Sequence, residues 1–179
     1  MIERTFTQEQ LSQATLQELQ TLARQCRGDI LKMTTLAASG HPGGSMSSID
    51  FYLTVFAMAN VDPGDPFAPG RDRIVTSHGH TSPGVFSALG RLGFFRIEDA
   101  VAHFRQTNSP FEGHVEREVP GVEWGTGNLG QGLSALLGLG LGARLQGHKV
   151  QLYGFMGDGE QQKGQIGEAR RFAVKYGFT

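Results

Sequence analysis

Three groups of residues have the types and spacing that chemistry needs. The sharpest is Gly157-Asp158-Gly159, which follows an apolar run over 149–156 and precedes a segment of helical character. In open α/β sheets, ligands bind outside the carboxyl ends of strands. An aspartate there can hold Mg2+ or Ca2+, and flanking glycines let a diphosphate approach the backbone. The N-terminus of the following helix favours negative charge as well. The competing reading is an ordinary Asp-Gly turn after a strand.

The second group is Gly125-Thr126-Gly127-Asn128-Leu129-Gly130-Gln131-Gly132, a glycine-rich loop that opens a helix. It is not a Walker A loop, because no Gly-Lys-Ser/Thr ends it, and no short strand feeds it as in a Rossmann fingerprint. Its amides can still carry a nucleotide-like or diphosphate cofactor; otherwise the loop serves to pack tightly on a neighbouring helix.

Histidines form the third group. Ser39-Gly40-His41-Pro42-Gly43-Gly44-Ser45, Ser77-His78-Gly79-His80 and Gly113-His114 each place imidazoles in a glycine loop at an element end. Neutral imidazoles there suit proton transfer or hydrogen bonding to a polar substrate. A zinc site at His78-x-His80 is the weaker idea, since no HExxH helix or further ligand accompanies it. One such histidine is more often structural; three in glycine loops favour function. His103 and His148 read as surface residues, and Met33, Met46, Met58 and Met156 as core filler.

These loops need elements to hold them. Apolar Leu16, Leu19, Leu22, Ala23, Cys26, Ile30, Leu31 and Met33 follow helical spacing, with possible capping boxes at Thr7-x-x-Gln10 and Thr15-x-x-Glu18. Gly40 and Pro42 end that helix. Further helices are predicted over 45–60, 82–92, 96–104, 129–145 and 161–176, and strands over 73–76 and 149–156. Residues 107–128 form a long irregular stretch, which inside a compact domain is more often functional than idle. Strands and helices alternate after residue 70, so the predicted fold is α/β, a parallel sheet flanked by helices.

Composition excludes several classes. With 179 residues, 39% hydrophobic, the chain suits one domain with a real core. A net charge of −1 leaves no basic footprint for nucleic acid and no polybasic membrane patch. No run of about 18 apolar residues and no signal-peptide pattern occurs. The single Cys26 excludes a disulfide framework and a CxxC site. The expectation is a soluble, reduced, cytoplasmic protein. Its 26 glycines lack collagen spacing and therefore mark turns and close backbone approaches.

Taken together, the 39–45 run, Arg71-Asp72-Arg73 leading to Gly79-His80, Gly121-Val122-Glu123 with the 127–132 loop, and Gly157-Asp158-Gly159-Glu160 resemble the N-terminal half of a transketolase. The resemblance covers residues 16–179 and is nearest to the split-gene type, whose two halves are separate chains. It implies a thiamine-diphosphate enzyme that moves a two-carbon ketol unit between sugar phosphates. The implied fold is the diphosphate-binding domain over residues 1–179, incomplete at its C-terminal end.

By the same resemblance, Asp158 holds the divalent metal, Mg2+ or Ca2+, and Gly159 touches the diphosphate through its backbone. Gly127, Asn128 and Leu129 pass over the cofactor, and His80 stands beside the diphosphate. His41 and His114 contact substrate. Deoxyxylulose-phosphate synthases and phosphoketolases share Gly-Asp-Gly, but the 39–45 and 129–132 runs lean toward transketolase.

Two features depart from the family pattern. Lys163 stands where the family has a glutamate near the subunit interface, which bears on coupling between active sites; the alternative is a surface lysine. The family's Asn pair, with a second metal ligand, falls beyond Thr179, and the glutamate that activates thiamine belongs to a partner's domain. The expected partner is a C-terminal transketolase half or second subunit, in a homodimer or heteromer. The isolated chain is expected to be inactive. A catalytically silent interaction module is the opposing reading.

Overall fold

The computed structural model describes residues 11–178. The Thr7-x-x-Gln10 box lies outside them. Helix α1 spans Gln13–Leu36 and buries Leu19, Ala23, Cys26, Ile30 and Met33 along one stripe, as the spacing predicts. Its N-cap is Ser12, whose Oγ accepts from Thr15 N at 3.1 Å. Thr15 therefore lies inside the first turn, and the box predicted to begin there does not form.

Helix α2 (Pro42–Met58) starts earlier than the predicted residue 45. Pro42 explains this: it lacks an N–H that the first turn would leave unpaired, and its fixed φ is already helical. Then follow β1 (Arg73–Thr76), α3 (Ser82–Arg91), α4 (Ile97–His103), α5 (Gly132–Leu145), β2 (Leu152–Phe155) and α6 (Gly164–Lys175). Short 3-10 turns at Gly79–Thr81 and Gly159–Gln162 follow the two strands.

Strands β1 and β2 are parallel, in the register Arg73↔Leu152 to Thr76↔Phe155. The strand predicted over 149–156 is thus trimmed to the length that β1 can pair. Side chains alternate across β2. Phe155 meets Tyr52 of α2 at 4.8 Å between ring centroids. Gly154 and Leu152 face α5: a Cβ on Gly154 would lie 3.0 Å from Leu136, and Leu152 Cδ1 approaches Gly140.

On the α2 side, the main core unites α1, α2 and α3 through Ile30, Met33, Ile49, Tyr52, Phe86 and Leu89, all almost wholly buried. Helices α2 and α3 cross closely: a Cβ on Gly84 would lie 2.9 Å from the Ser45 carbonyl oxygen. This crossing sets the loop before α2 beside the loop after β1. Among the described residues, no helix is long and apolar enough to cross a membrane.

Candidate active site

Both strands deliver their loops at the same end of the sheet. Thr76 leads into Ser77-His78-Gly79-His80, and Phe155 leads into Met156-Gly157-Asp158-Gly159. Parallel strands require this, since their carboxyl ends point one way. The glycine-rich loop is stitched to the first of these loops. A Cβ on Gly79 would overlap the Thr126 side chain, and one on Gly132 would overlap Ser77. Glycine at these positions lets the two backbones touch.

Residues 129–131, predicted as helix, stay in the loop. Gly130 has φ +87°, which ends any helical register there, and its N–H donates to the Glu160 carboxylate rather than to a helical carbonyl. Helix α5 begins only at Gly132. On the other side, α6 starts at Gly164 instead of 161, because 159–162 make the 3-10 turn.

Imidazoles gather at this end. The His41 and His80 rings meet edge to face at 5.2 Å, and His78 and His80 lie 6.0 Å apart. His114 is close enough that its positive charge and that of His80 repel. Burial, aided by His41, His78 and His114, holds His80 below the ordinary imidazole range. Burial, then His41 and Arg105, does the same for His114. Both rings are therefore neutral at pH 7, able to donate at one nitrogen and accept at the other.

His78 has a different task. Its Nδ1 donates to the Phe155 carbonyl at 3.0 Å, and its Nε2 accepts from Tyr52 OH at 3.1 Å. Tyr52 OH also bonds Thr81 Oγ1 at 2.5 Å. With both ring nitrogens engaged and the ring buried, His78 braces β1, β2 and α2. No group of three or more His, Cys, Asp or Glu side chains is placed to share a metal ion among the described residues.

Asp158 is exposed, and its carboxylate pairs with no side chain or N–H among the described residues. Gly127, Asn128 and Leu129 are exposed too, and their N–H groups meet no carbonyl there. A Cβ on Gly127 or Gly159 would point into open space.

The model of the family described as "Transketolase, thiamine diphosphate binding domain" matches residues 20–178. The chain belongs to the transketolase family. It is 37% identical over 136 residues to the 6-deoxy-6-sulfo-D-fructose transketolase subunit SqwG of a Clostridium strain, covering 75% of this chain and 49% of that one. It is 34% identical over 162 residues to an apulose-4-phosphate transketolase subunit of Actinobacillus succinogenes, covering 89% and 58%. The crystal structure of transketolase from Campylobacter jejuni superposes with a TM-score of 0.79 at 34% identity, over 88% of this chain and 26% of that one. The chain spans about half the length of the curated relatives it matches.

The arrangement fits the family's cofactor. Unpaired amides at 127–129 and the glycine backbone at 159 form a polar cradle for an anion. An unpartnered carboxylate at 158 is a hard oxygen donor for the dication that would accompany it. The imidazoles of His80 and His114, held neutral at pH 7, add hydrogen-bond donors and acceptors at the same end of the sheet.

Two site residues escaped the sequence reading. Arg105 adopts a left-handed backbone (φ 58°), and its Nη1 donates to Ser39 Oγ at 2.7 Å. Its guanidinium lies over Gly113, so it bridges the loops of His41 and His114. Glu160 ties together the loops that surround the cradle. Nothing local distinguishes either residue from a surface charge; only its partners from distant segments do.

Proposed function

We propose that residues 1–179 belong to the diphosphate-binding domain of a two-subunit transketolase. The chain would hold thiamine diphosphate together with Mg2+ or Ca2+. Its amides at 127–129 and 159 would cradle the diphosphate, Asp158 would ligate the metal, and His80 would stand beside the diphosphate. The bound cofactor supplies the carbanion chemistry that carries a two-carbon ketol unit from one sugar phosphate to another. His41 and His114 hold the substrate hydroxyls and exchange protons with them as general acid and base. The naming of both relatives as subunits supports a separate C-terminal partner chain, in a heteromer that can itself be dimeric. A reducing cytoplasm is the proposed setting, since the single cysteine of the sequence, Cys26, leaves no pair for a disulfide within the chain.

One observation carries this reading. An unpartnered aspartate, a loop of unpaired amides and a cluster of imidazoles converge at the carboxyl ends of β1 and β2. The test is calorimetric titration of thiamine diphosphate and Mg2+ into the chain with its C-terminal partner, followed by a ketol-transfer assay. Mg2+-dependent binding with turnover of a ketose phosphate donor is expected. Binding without turnover in the full assembly would favour the silent interaction module, and absence of binding would refute the cofactor site.

A further inference from the structure

Glu160 has no chemical role in the reading above, yet it is a charged side chain at the centre of the site's framework. It is only 3% exposed. Its Oε2 accepts from Ser77 Oγ at 2.5 Å and from Gly130 N at 2.7 Å, and its Oε1 accepts from Gly157 N at 2.8 Å. The donors come from three separate loops: the end of β1, the glycine-rich loop and the end of β2. Ser77 Oγ extends the network by accepting from Gly132 N at 3.2 Å.

A buried carboxylate is costly unless its oxygens are satisfied. No Lys, Arg or His pairs with Glu160 among the described residues, so these donors carry the compensation. Hydrogen bonds to an ionised acceptor are about twice as strong as neutral ones. The requirement is also chemical: three donors converge on two oxygens, and only a carboxylate accepts at both.

The consequence reaches the cradle. Gly130 N–H and Gly157 N–H are spent on Glu160, which leaves the amides at 127–129 and 159 as the ones open to an anion. Glu160 also precedes Lys163 in the same short turn, and Lys163 grips the glycine-rich loop from outside. We infer that Glu160 is a positioning residue: its carboxylate fixes the spacing between the 127–129 amides and Asp158. This rests on the proposed cofactor site for its functional part, whereas the ordering of the loops does not depend on any ligand.

Amide hydrogen exchange on the ligand-free chain separates the two parts. Glu160→Gln is expected to speed exchange at the hydrogen-bonded amides of Thr126, Gly130, Gly132 and Gly157 by about ten- to a hundredfold, with α1 to α3 unchanged. Ser77→Ala removes one donor and should give a smaller increase at the same loops; it decides the matter if Glu160→Gln fails to fold. In the assembly with its partner, and measured well below the Tm of the variant, Glu160→Gln should weaken Mg2+-dependent thiamine diphosphate binding by a similar factor. Wild-type exchange in the loops of both variants overturns the inference. So does wild-type cofactor affinity in Glu160→Gln, which leaves the cofactor site standing. A wild-type assembly that binds no thiamine diphosphate overturns the cofactor site itself, and with it the role of Glu160.

Discussion

Lys163 Nζ donates to Asn128 Oδ1 at 2.7 Å. The residue that departs from the family pattern thus reaches back onto the glycine-rich loop of its own chain. Its methylenes add to the contact: a Cβ on Gly130 would lie 3.0 Å from Lys163 Cδ. The lysine is exposed, so the bond is wet and modest. Its effect falls on loop order rather than on global stability.

Lys163→Ala is therefore expected to leave Tm unchanged and to weaken cofactor binding by about two- to fivefold, the size of an exposed charged contact. Lys163→Glu should do less harm than the alanine. The Asn128 amide can turn its NH2 toward a carboxylate and remake the bond. Calorimetry on both variants in the assembly gives the order of affinities; a glutamate variant weaker than the alanine would reject this reversible latch.

Asp158→Ala should abolish the Mg2+ dependence of thiamine diphosphate affinity. The carboxylate has no partner to orphan among the described residues, so stability should move by no more than about 0.5 kcal/mol. Thermal melts and titrations with and without Mg2+ check both halves. Undiminished Mg2+ dependence would remove Asp158 from the metal site.

His80 and His78 are two residues apart and should fail in opposite ways. Among the described residues no hydrogen-bond partner is orphaned by His80→Ala, so turnover of the assembled enzyme should fall by about 10²–10⁴ with Tm nearly retained. His78→Ala removes one of two partners from Tyr52 OH and from the Phe155 carbonyl and opens a cavity in the core. A loss of about 2–4 kcal/mol is expected there, read by denaturant unfolding. Equal stability losses in the two variants would contradict the division of labour.

Much of this architecture was legible in the sequence. The stripe of α1 follows from helical spacing alone, and the glycine loops mark the strand ends where the site lies. Local pattern could not separate His78 from His80, because the difference is made by Tyr52 on α2 and the Phe155 carbonyl on β2. Strand β2 reads longer than it is, because its length is limited by β1. Helix α5 reads early, because Gly130 is captured by Glu160 from a later turn. Glu160 itself was visible only as the neighbour of Asp158. Its function as a tie depends on donors at 77, 130 and 157, which come together only in the folded chain.

The imidazoles also set a pH dependence of known sign. Burial holds His78, His80 and His114 below the ordinary value of 6.5. Each unfolded histidine therefore binds a proton at a higher pH than its folded counterpart. The stability these residues contribute is complete above about 6.5 and is lost as pH falls from there through the folded values. Tm should decline as pH is lowered from 7 toward 5, with less decline in His78→Asn, which has no charge to gain. Activity should fall over the same window, as protonated His80 and His114 lose their acceptor nitrogens. Imidazole NMR titrations supply the direct check: both rings should titrate below a free histidine. A Tm that rises on acidification from 7 to 5, or rings that titrate above 6.5, would show that the cluster is held by a carboxylate rather than by burial and mutual repulsion.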